Sequence, residues 1–595
     1  MVTTSFKQIF NVRPLITTAV VLWICVIIYL SSNIFHLKSD NQQILACQSL
    51  LDVITGLKTQ VDIRSTNSRV FLKSYDTPGK NSSPTSSRDG IHGMSYEILR
   101  RRAFQFAREI RFSLVQLDDV NEKIKNIKGD ALTKPLEDVR DSVEQLKRQL
   151  QDISSYLQVD LDGMGRVDGA LESRINDLDY LSNELQKELF ILQNPKNCKT
   201  AKYVVATLNR PCAFGCNAHH LMYCFQMAYA TGRTLVLNSA DGGSYTQWWI
   251  KNFLPLSEKC SANRIRSDIF SLESFNTSQA IECPHIVSIR SSFNWIPPAV
   301  PSHFSKLLSR LHGAPFAWFI GQLAKFLMRP AFDLSEEFKI FANRTENPIV
   351  GVHIRRTDKI NTEASFHSLE EYMTEVDSYF NFIDASRQMM SRTEEWRNDI
   401  KSPFHHRVYH QLNPVKRQVY IATDEPSIFD EAQSKYPNYV FYGDRRRAES
   451  AAVSKRQNAD SIMGIVIDVF VLSKTDYLVC TFSSQVCRLA YELKQSNHLE
   501  FGDASQQFRT LDDVYYYGRQ QASPYEVVIS DNKTGLSIGD LVHFLGNHWN
   551  GYAKVEKVNT NHKIMAPAFK FSSRILNAPM LGAYGNRSEV TLDLI

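Results

Sequence analysis

The sequence predicts an α/β protein whose central region is a doubly wound parallel sheet. It predicts a transmembrane helix and a helical coiled coil before that region and a small β-barrel after it. Three observations carry this reading. From Cys198 to about residue 510, short apolar runs alternate with segments whose apolar residues recur every three or four positions, the order that builds a sheet covered by helices. Before Cys198, apolar residues follow a heptad spacing. After about residue 524, short apolar segments are separated by Gly539-Asp540 and Gly546-Asn547, the punctuation of short strands. At 595 residues the chain exceeds a single core and implies about three or four units. A net charge of +5 is too small to imply a nucleic-acid partner.

Residues 1–14 form a short tail containing Lys7 and Arg13. Leu15 to Leu30 carries no charge and is rich in Val, Ile and Leu, so 15–34 is read as an uncleaved anchor near the lower length limit of about 17 residues. Basic residues before it put the amino terminus in the cytosol and the rest in the lumen, a single-pass type II arrangement. A short span suits the thinner membranes of the early secretory pathway. Residues 35–94 read as a stem, since 64–94 is dense in Ser, Thr, Asn, Asp and Gly with almost no apolar periodicity. Within 95–195, Ile110, Leu114, Leu117 and Ile124, then Val139 to Leu157, then Leu171 to Leu189 form a heptad seam, broken at Pro135 and at Gly163 and Gly165. The seam fits either a hairpin packed on its own domain or a homodimer contact, and the apolar surface it would otherwise expose favours the dimer.

The region 198–515 is the predicted catalytic domain. Tyr203 to Thr207 and Thr234 to Leu237 read as strands around a helix from Asn217 to Thr231, closed by Gly232. Ile349 to Ile354, Gln418 to Thr423, Tyr439 to Tyr442 and Tyr477 to Phe482 are further strands. Residues 385–416, with Trp396, His405 and His406, read as a surface insertion without acidic or Cys partners at metal-ligand spacing. The Asp160-Leu161-Asp162 and Asp177-Leu178-Asp179 strings lie in heptad sequence and read as solvated helix positions. No metal is expected.

Charges gather where the strand at 349–354 ends: Arg355, Arg356, Asp358, Lys359 and Glu363. Ligands of open α/β sheets bind at carboxyl ends of strands, and guanidinium forks suit phosphate oxygens, so the cluster fits stabilisation of a leaving diphosphate. A solvated charge run on a loop is the alternative. Ser483, Ser484 and Gln485 lie between a strand and a helix beginning near Val486, where free N–H groups favour phosphate. Gly215 and Cys216 occupy the equivalent turn of the first half. Asp468 interrupts the apolar face of a helix from Ile462 to Leu472, and Asp424 with Glu425 ends another strand, either beside the site or capping the next helix.

The run His353-Ile354-Arg355-Arg356-Thr357-Asp358-Lys359 closely resembles the signature of the α-1,6-fucosyltransferases, and its first half that of the wider group including α-1,2- and protein O-fucosyltransferases. Thr362-Glu363-Ala364 and Phe366-His367 continue the likeness. So do Cys212 to Cys216 with His219-His220, Cys480 to Cys487, and Gly546-Asn547-His548-Trp549. The resemblance implies a Rossmann-like, GT-B-related catalytic fold, a carboxyl-terminal SH3-like barrel at 522–585 and residence in the Golgi membrane. It implies transfer of L-fucose from GDP-β-L-fucose to the 6-hydroxyl of the innermost GlcNAc of an N-glycan, with inversion and without a metal cofactor. Glu363 would be the general base, Lys359 its partner or a phosphate contact, and Arg355 the β-phosphate ligand. His353 and Asp468 would take guanine, Tyr245 ribose or phosphate, and Arg356, Gly215, Cys216, Ser484 and Gln485 the rest of the donor. Asp358, Asp424, Glu425 and His548 would meet the acceptor.

The resemblance also pairs Cys198 with Cys260, Cys212 with Cys216 and Cys480 with Cys487. It puts the partner of Cys224 at position 206, which is Ala206 here, leaving Cys283 as an extra cysteine to replace it. This usage fits an oxidising lumen. Sequons at Asn81, Asn276, Asn343, Asn532 and Asn586 are permissive signals only. Two other readings are a fucosyltransferase of another linkage, which the terminal barrel argues against, and a membrane-tethered scaffold, which the intact charge cluster argues against.

Overall fold

The computed structural model describes residues 94–125, 133–209, 212–238, 243–260, 267–268, 271–286, 293–342, 347–358, 360, 364–391, 415–497, 502–517, 524–546, 550–558, 560 and 562–585. The expected tail, anchor and stem, the bulk of the 385–416 insertion, and Lys359, Glu363 and His548 lie outside the described residues. Among the described residues, no helix is long and apolar enough to cross a membrane.

Helices α1 (Met94–Lys125) and α2 (Thr133–Val167) carry the heptad sequence. Pro135 falls in the first turn of α2, where its missing N–H costs nothing, so it starts the helix and does not break one. Gly163 and Gly165 stay inside α2. The break comes at Gly169, whose φ of 75° begins α3 (Ala170–Gln193). The hairpin packs on its own chain: Arg111 and Arg509 both pair with Glu375, at 3.6 and 3.2 Å, and Arg509 lies over the Phe112 ring. Ala107, Leu114 and Leu117 are buried, whereas Ile153, Tyr156, Leu157 and Met164 are exposed. Helix α3 enters the main core through Leu178, Leu181, Leu185 and Leu189.

The first α/β half has strands β1 (Tyr203–Ala206), β2 (Thr234–Leu237) and β3 (Ala280–Glu282), parallel in the order β2-β1-β3. Between β1 and β2, helix α4 runs Phe214–Ala230, starting three residues before the expected Asn217. The Cys212–Cys216 disulfide and the Asn217 amide, which donates to the Cys212 carbonyl at 3.0 Å, close that extra turn. Helix α5 (Ser244–Asn252) follows β2. Further on come β4 (Ala299–Pro301) and the nearly all-buried helix α6 (Pro315–Leu327).

The second half is a five-stranded parallel sheet of order β7-β6-β5-β8-β9, built from β5 (Ile349–Ile354), β6 (Gln418–Thr423), β7 (Val440–Tyr442), β8 (Tyr477–Cys480) and β9 (Phe508–Thr510). Every residue of β5 is buried, and its side chains alternate between two cores. Val350, Val352 and Ile354 join Leu369, Tyr372 and Val376 of helix α7 (Leu369–Ser391). Ile349, Gly351 and His353 face the other way. There helix α8 (Ala459–Lys474) crosses so closely that a Cβ on Gly351 would stand 2.9 Å from Leu472. Strand β8 stops at Cys480, short of the expected Phe482, because Asp512 takes the Phe482 and Ser483 amides at 2.7 and 3.1 Å. Helix α9 (Gln485–Gln495) then begins.

The carboxyl-terminal residues fold as an antiparallel sheet, β13-β12-β11-β10-β14, from β10 (Tyr525–Val527), β11 (Leu541–Phe544), β12 (Tyr552–Lys557), β13 (Lys563–Pro567) and β14 (Phe571–Ser573). Alternate side chains, including Val542, Phe544, Val555 and Ile564, form its own small core. Strand β15 (Leu576–Ala578) leaves this sheet and pairs in parallel with β4 of the first half.

All four expected cystine pairings are formed, including Cys224–Cys283. Helices α6 and α9 cross where Gly321 meets the Glu492 carbonyl, which a Cβ would approach to 2.1 Å. Gly321→Ala should therefore lower the free energy of urea unfolding by about 1–3 kcal/mol, as expected for overpacking a filled core.

Candidate active site

The parallel register sets Ile354 beside Thr423, so the residues following β5 and β6 emerge together at one sheet edge. Asp424 is buried there and organises them. It accepts from the Arg356 and Thr357 amides at 3.0 and 3.3 Å, from the Thr357 hydroxyl, and from one arm of Arg355. Burial would raise its carboxyl, but Arg355 and these donors hold it below the usual carboxylate range. The other arm of Arg355 reaches Asp358. Arg456 closes the group from a separate segment, donating to Asp358 at 2.9 Å and to Thr357 at 3.3 Å. That contact is the main reason the Asp358 carboxyl lies at about 2.

Arg356 turns away from Arg355. Its Nε and Nη2 donate to the His367 carbonyl at 3.1 and 3.0 Å, its Nη1 faces Glu425 at 3.4 Å and Glu431 at 3.7 Å, and the plane lies over Phe366. Glu425 also accepts from Ser427 at 3.0 Å, beside the start of the following helix. The structure thus brings Arg355, Asp358 and Asp424 into one cluster and sets Arg356 and Glu425 to holding the 366–367 turn. Ile360 and Ala364 pair in a bridge that closes the loop between Asp358 and Ser365.

On the α8 side of the sheet, His353 is buried, and that burial pushes its imidazole down to about 4, leaving a neutral ring at pH 7. Among the described residues, its Nδ1 has no hydrogen-bond partner. Asp468 of α8 faces the same layer and is held by Tyr420 at 2.7 Å and Arg447 at 3.3 Å, with Arg447 also paired to Glu337 at 2.9 Å. Burial raises the Asp468 carboxyl to about 6, against the pull of Arg447 and Tyr420.

The first half approaches from across the cleft. Trp248 of α5 donates to the Ala459 carbonyl at the start of α8, at 3.2 Å. Tyr245, one turn earlier, is buried with an unpartnered hydroxyl; its phenol is raised by burial, with Arg456 pulling the other way. The two strand-to-helix turns touch: a Cβ on Gly215 would lie 3.1 Å from the Gln485 Cβ. Gly215 and Cys216 open α4, Ser484 is the N-cap of α9 without a side-chain cap bond, and Cys480–Cys487 ties the end of β8 to the first turn of α9. Among the described residues, Tyr245 Oη and His353 Nδ1 are buried polar atoms without a hydrogen-bond partner, and the two helix N-termini carry the dipole ends that favour an anion.

Sequence reading missed Arg456, Asp512, Tyr420 and Arg447. The Lys455-Arg456 pair lay in polar, aperiodic sequence, and Asp512 lay beyond the last apolar run, so nothing local marked either. Among the described residues, the group with metal-ligand spacing is His220, Cys224 and Cys283, and its two cysteines are bonded to each other. Asp177, from one of the two Asp-x-Asp strings, pairs with Arg310 at 2.8 Å.

A family model described as α-(1,6)-fucosyltransferase N- and catalytic domains matches residues 6–394 and 389–516. An α-(1,6)-fucosyltransferase of Drosophila melanogaster is 35% identical over 496 residues, covering 82% of this chain and 74% of its own. One of Caenorhabditis elegans is 35% identical over 422 residues, covering 68% and 70%. Among solved structures, POFUT1 in complex with GDP is 12% identical, with a TM-score of 0.26 over 50% of this chain and 97% of its own. An Arabidopsis thaliana FUT1 mutant in complex with GDP is 14% identical, with a TM-score of 0.27 over 55% and 77%. At such TM-scores these two likenesses carry no weight for fold or site. The sheet-edge cluster and the sequence relatives together define a glycosyltransferase that moves fucose. Within that class, the chain belongs to the α-(1,6)-fucosyltransferase family.

Arg355 divides its planar fork between two carboxylates, one arm to each, a fixed geometry that a lysine ammonium does not reproduce. Arg355→Lys should lower kcat/KM for fucose transfer by about a hundredfold or more, with charge conserved. Near-parental turnover would show that the fork geometry is dispensable.

Proposed function

We propose that the protein transfers L-fucose from GDP-β-L-fucose to the 6-hydroxyl of the innermost GlcNAc of N-glycans. The observation that carries this reading is Arg355, held at the carboxyl end of β5 by Asp424 and Asp358 within a family of α-(1,6)-fucosyltransferases. Passing from a β-linked donor to an α-linked product inverts the anomeric carbon, so one in-line displacement suffices. That displacement needs a base for the hydroxyl and a cation for the departing diphosphate.

Glu363 is the proposed base and Lys359 its proposed partner or a phosphate contact; both follow Asp358 in the sequence. Arg355 is the proposed diphosphate ligand and Arg456 its neighbour. The helix N-termini at Gly215-Cys216 and Ser484-Gln485 are proposed to face the phosphates, the Cys216 and Ser484 amides themselves being taken by the Ala213 and Thr481 carbonyls at 3.2 and 3.0 Å. Neutral His353, with Nδ1 free, and the Asp468 carboxylate are suited to the hydrogen-bonding edge of guanine, and the unpartnered Tyr245 hydroxyl to ribose or phosphate. Arg356 is proposed to contact the donor and Glu425, with Asp358 and Asp424, the acceptor, each from the protein contacts described above. The mechanism proposed is metal-free, with Arg355 and Lys359 as the cations for the departing diphosphate.

The same reading makes the chain a Golgi type II membrane protein anchored through 15–34. The carboxyl-terminal sheet is proposed to be an SH3-like module whose His548 contacts the acceptor. Homodimerisation through the helices is supported by the stripe Ile153, Tyr156, Leu157 and Met164, exposed on α2.

Incubating the lumenal portion with GDP-fucose and a defined GlcNAc-terminated N-glycan should give an α-1,6-linked core product by linkage analysis. A different linkage, or no transfer, would overturn this assignment. Glu363→Gln keeps size but cannot take a proton. Its kcat should fall by about 10²–10⁴ with melting temperature and GDP affinity unchanged. A variant retaining more than about a tenth of the parental rate would remove Glu363 from the base role.

A further inference from the structure

Behind the two turns lies a buried polar chain that the reaction itself does not use. His219, on the first turns of α4, is almost fully buried. Its Nδ1 lies 2.7 Å from the Gly215 carbonyl, which can only accept, so Nδ1 carries the proton shared there. Its Nε2 faces the Glu492 carboxylate at 3.2 and 3.3 Å. Glu492, on α9, has no solvent exposure and accepts from the Tyr515 hydroxyl at 2.6 Å. From below, the Tyr517 hydroxyl donates to the His219 carbonyl at 2.5 Å, and its ring packs edge-on against the imidazole.

This chain runs from one half of the molecule to the other and ends on the peptide group of Gly215, at the turn that touches Gln485. Burying a carboxylate and an imidazole without solvent is costly, and an apolar pair would fill the space as stably. A pair retained in this place has its effect in orientation. The Gly215 carbonyl is held by the imidazole and the N–H of the same peptide group, on Cys216, by the Ala213 carbonyl at 3.2 Å, so the plane of that peptide is set from both sides. The backbone of Glu492 lies close against Gly321 of α6, where a Cβ would come within 2.1 Å of its carbonyl.

We propose that His219 and Glu492 are positioning residues for the donor diphosphate. Together they hold the Gly215-Cys216 turn at the spacing from Ser484-Gln485 that two linked phosphates require. The proposal rests on the reading of these turns as the diphosphate cradle. Neither residue touches the sugar or the acceptor, so the effect belongs to donor affinity and not to the chemical step.

The test compares GDP with guanosine, which shares the base and ribose and lacks phosphate, by ligand-observed NMR and calorimetry on the full-length protein. In Glu492→Gln, GDP affinity should fall about tenfold or more while guanosine affinity stays the same, and donor KM should rise with kcat within about twofold. Breaking a buried pair can unfold a protein, so the double variant His219→Leu/Glu492→Met, which removes both polar groups, is measured in parallel. It should fold and show the same loss of preference for GDP. Leu323→Ala, a core truncation on α6, should lower the melting temperature with that preference intact. Folded variants that keep the parental GDP preference would overturn the positioning role while leaving the diphosphate reading in place. A parental protein that binds GDP no better than guanosine would overturn both.

Discussion

A carboxylate taken out of water must have every lone pair answered, and Asp424 meets that demand with the residues the reaction needs. Its oxygens take two backbone amides, a hydroxyl and a guanidinium from the segment 355–357. The chain leaving β5 is therefore bent round one point, and Arg355 is presented by a bond that solvent cannot compete for. Asp358 then draws in Arg456 from a loop about a hundred residues further on. The cluster is a local charge balance built before any ligand arrives, and the parallel register of β5 and β6 makes it possible.

The second constraint is closeness between the halves. Gly215 lies close against Gln485, the Trp248 indole donates to the Ala459 carbonyl, and Gly321 meets the Glu492 carbonyl. Glycine is required at 321 for lack of space, since its φ is outside the left-handed region of backbone geometry. Such contacts leave little freedom for one half to rotate on the other, so the polar groups facing the cleft are set by packing.

Much of this was legible in the residues. The strands at 349–354 and 418–423 were recoverable from apolar runs between polar punctuation, and their carboxyl ends marked the charge cluster. The two strand-to-helix turns were legible as a pair because Gly215 and Ser484 follow equivalent strands. The division of labour within the cluster was not: neighbouring Arg355 and Arg356 look alike in sequence, and only the fold shows one spanning two carboxylates and the other bound to the His367 carbonyl. Arg456 and Asp512 were invisible because their partners are distant in the chain. Gly163 and Gly165 were overread as helix breakers; their cost of about 1 kcal/mol each is small beside the tertiary burial of a long amphipathic helix.

The pairing of β15 with β4 reaches across most of the described chain, with Leu576 beside Ala299. At about 5–20 residues per second, synthesis of the intervening chain takes on the order of tens of seconds. During that interval β4 has no strand partner among the described residues, an open edge where a neighbouring chain could pair in error. A translation product cut short before residue 576 would carry the charge cluster and leave β4 unpaired.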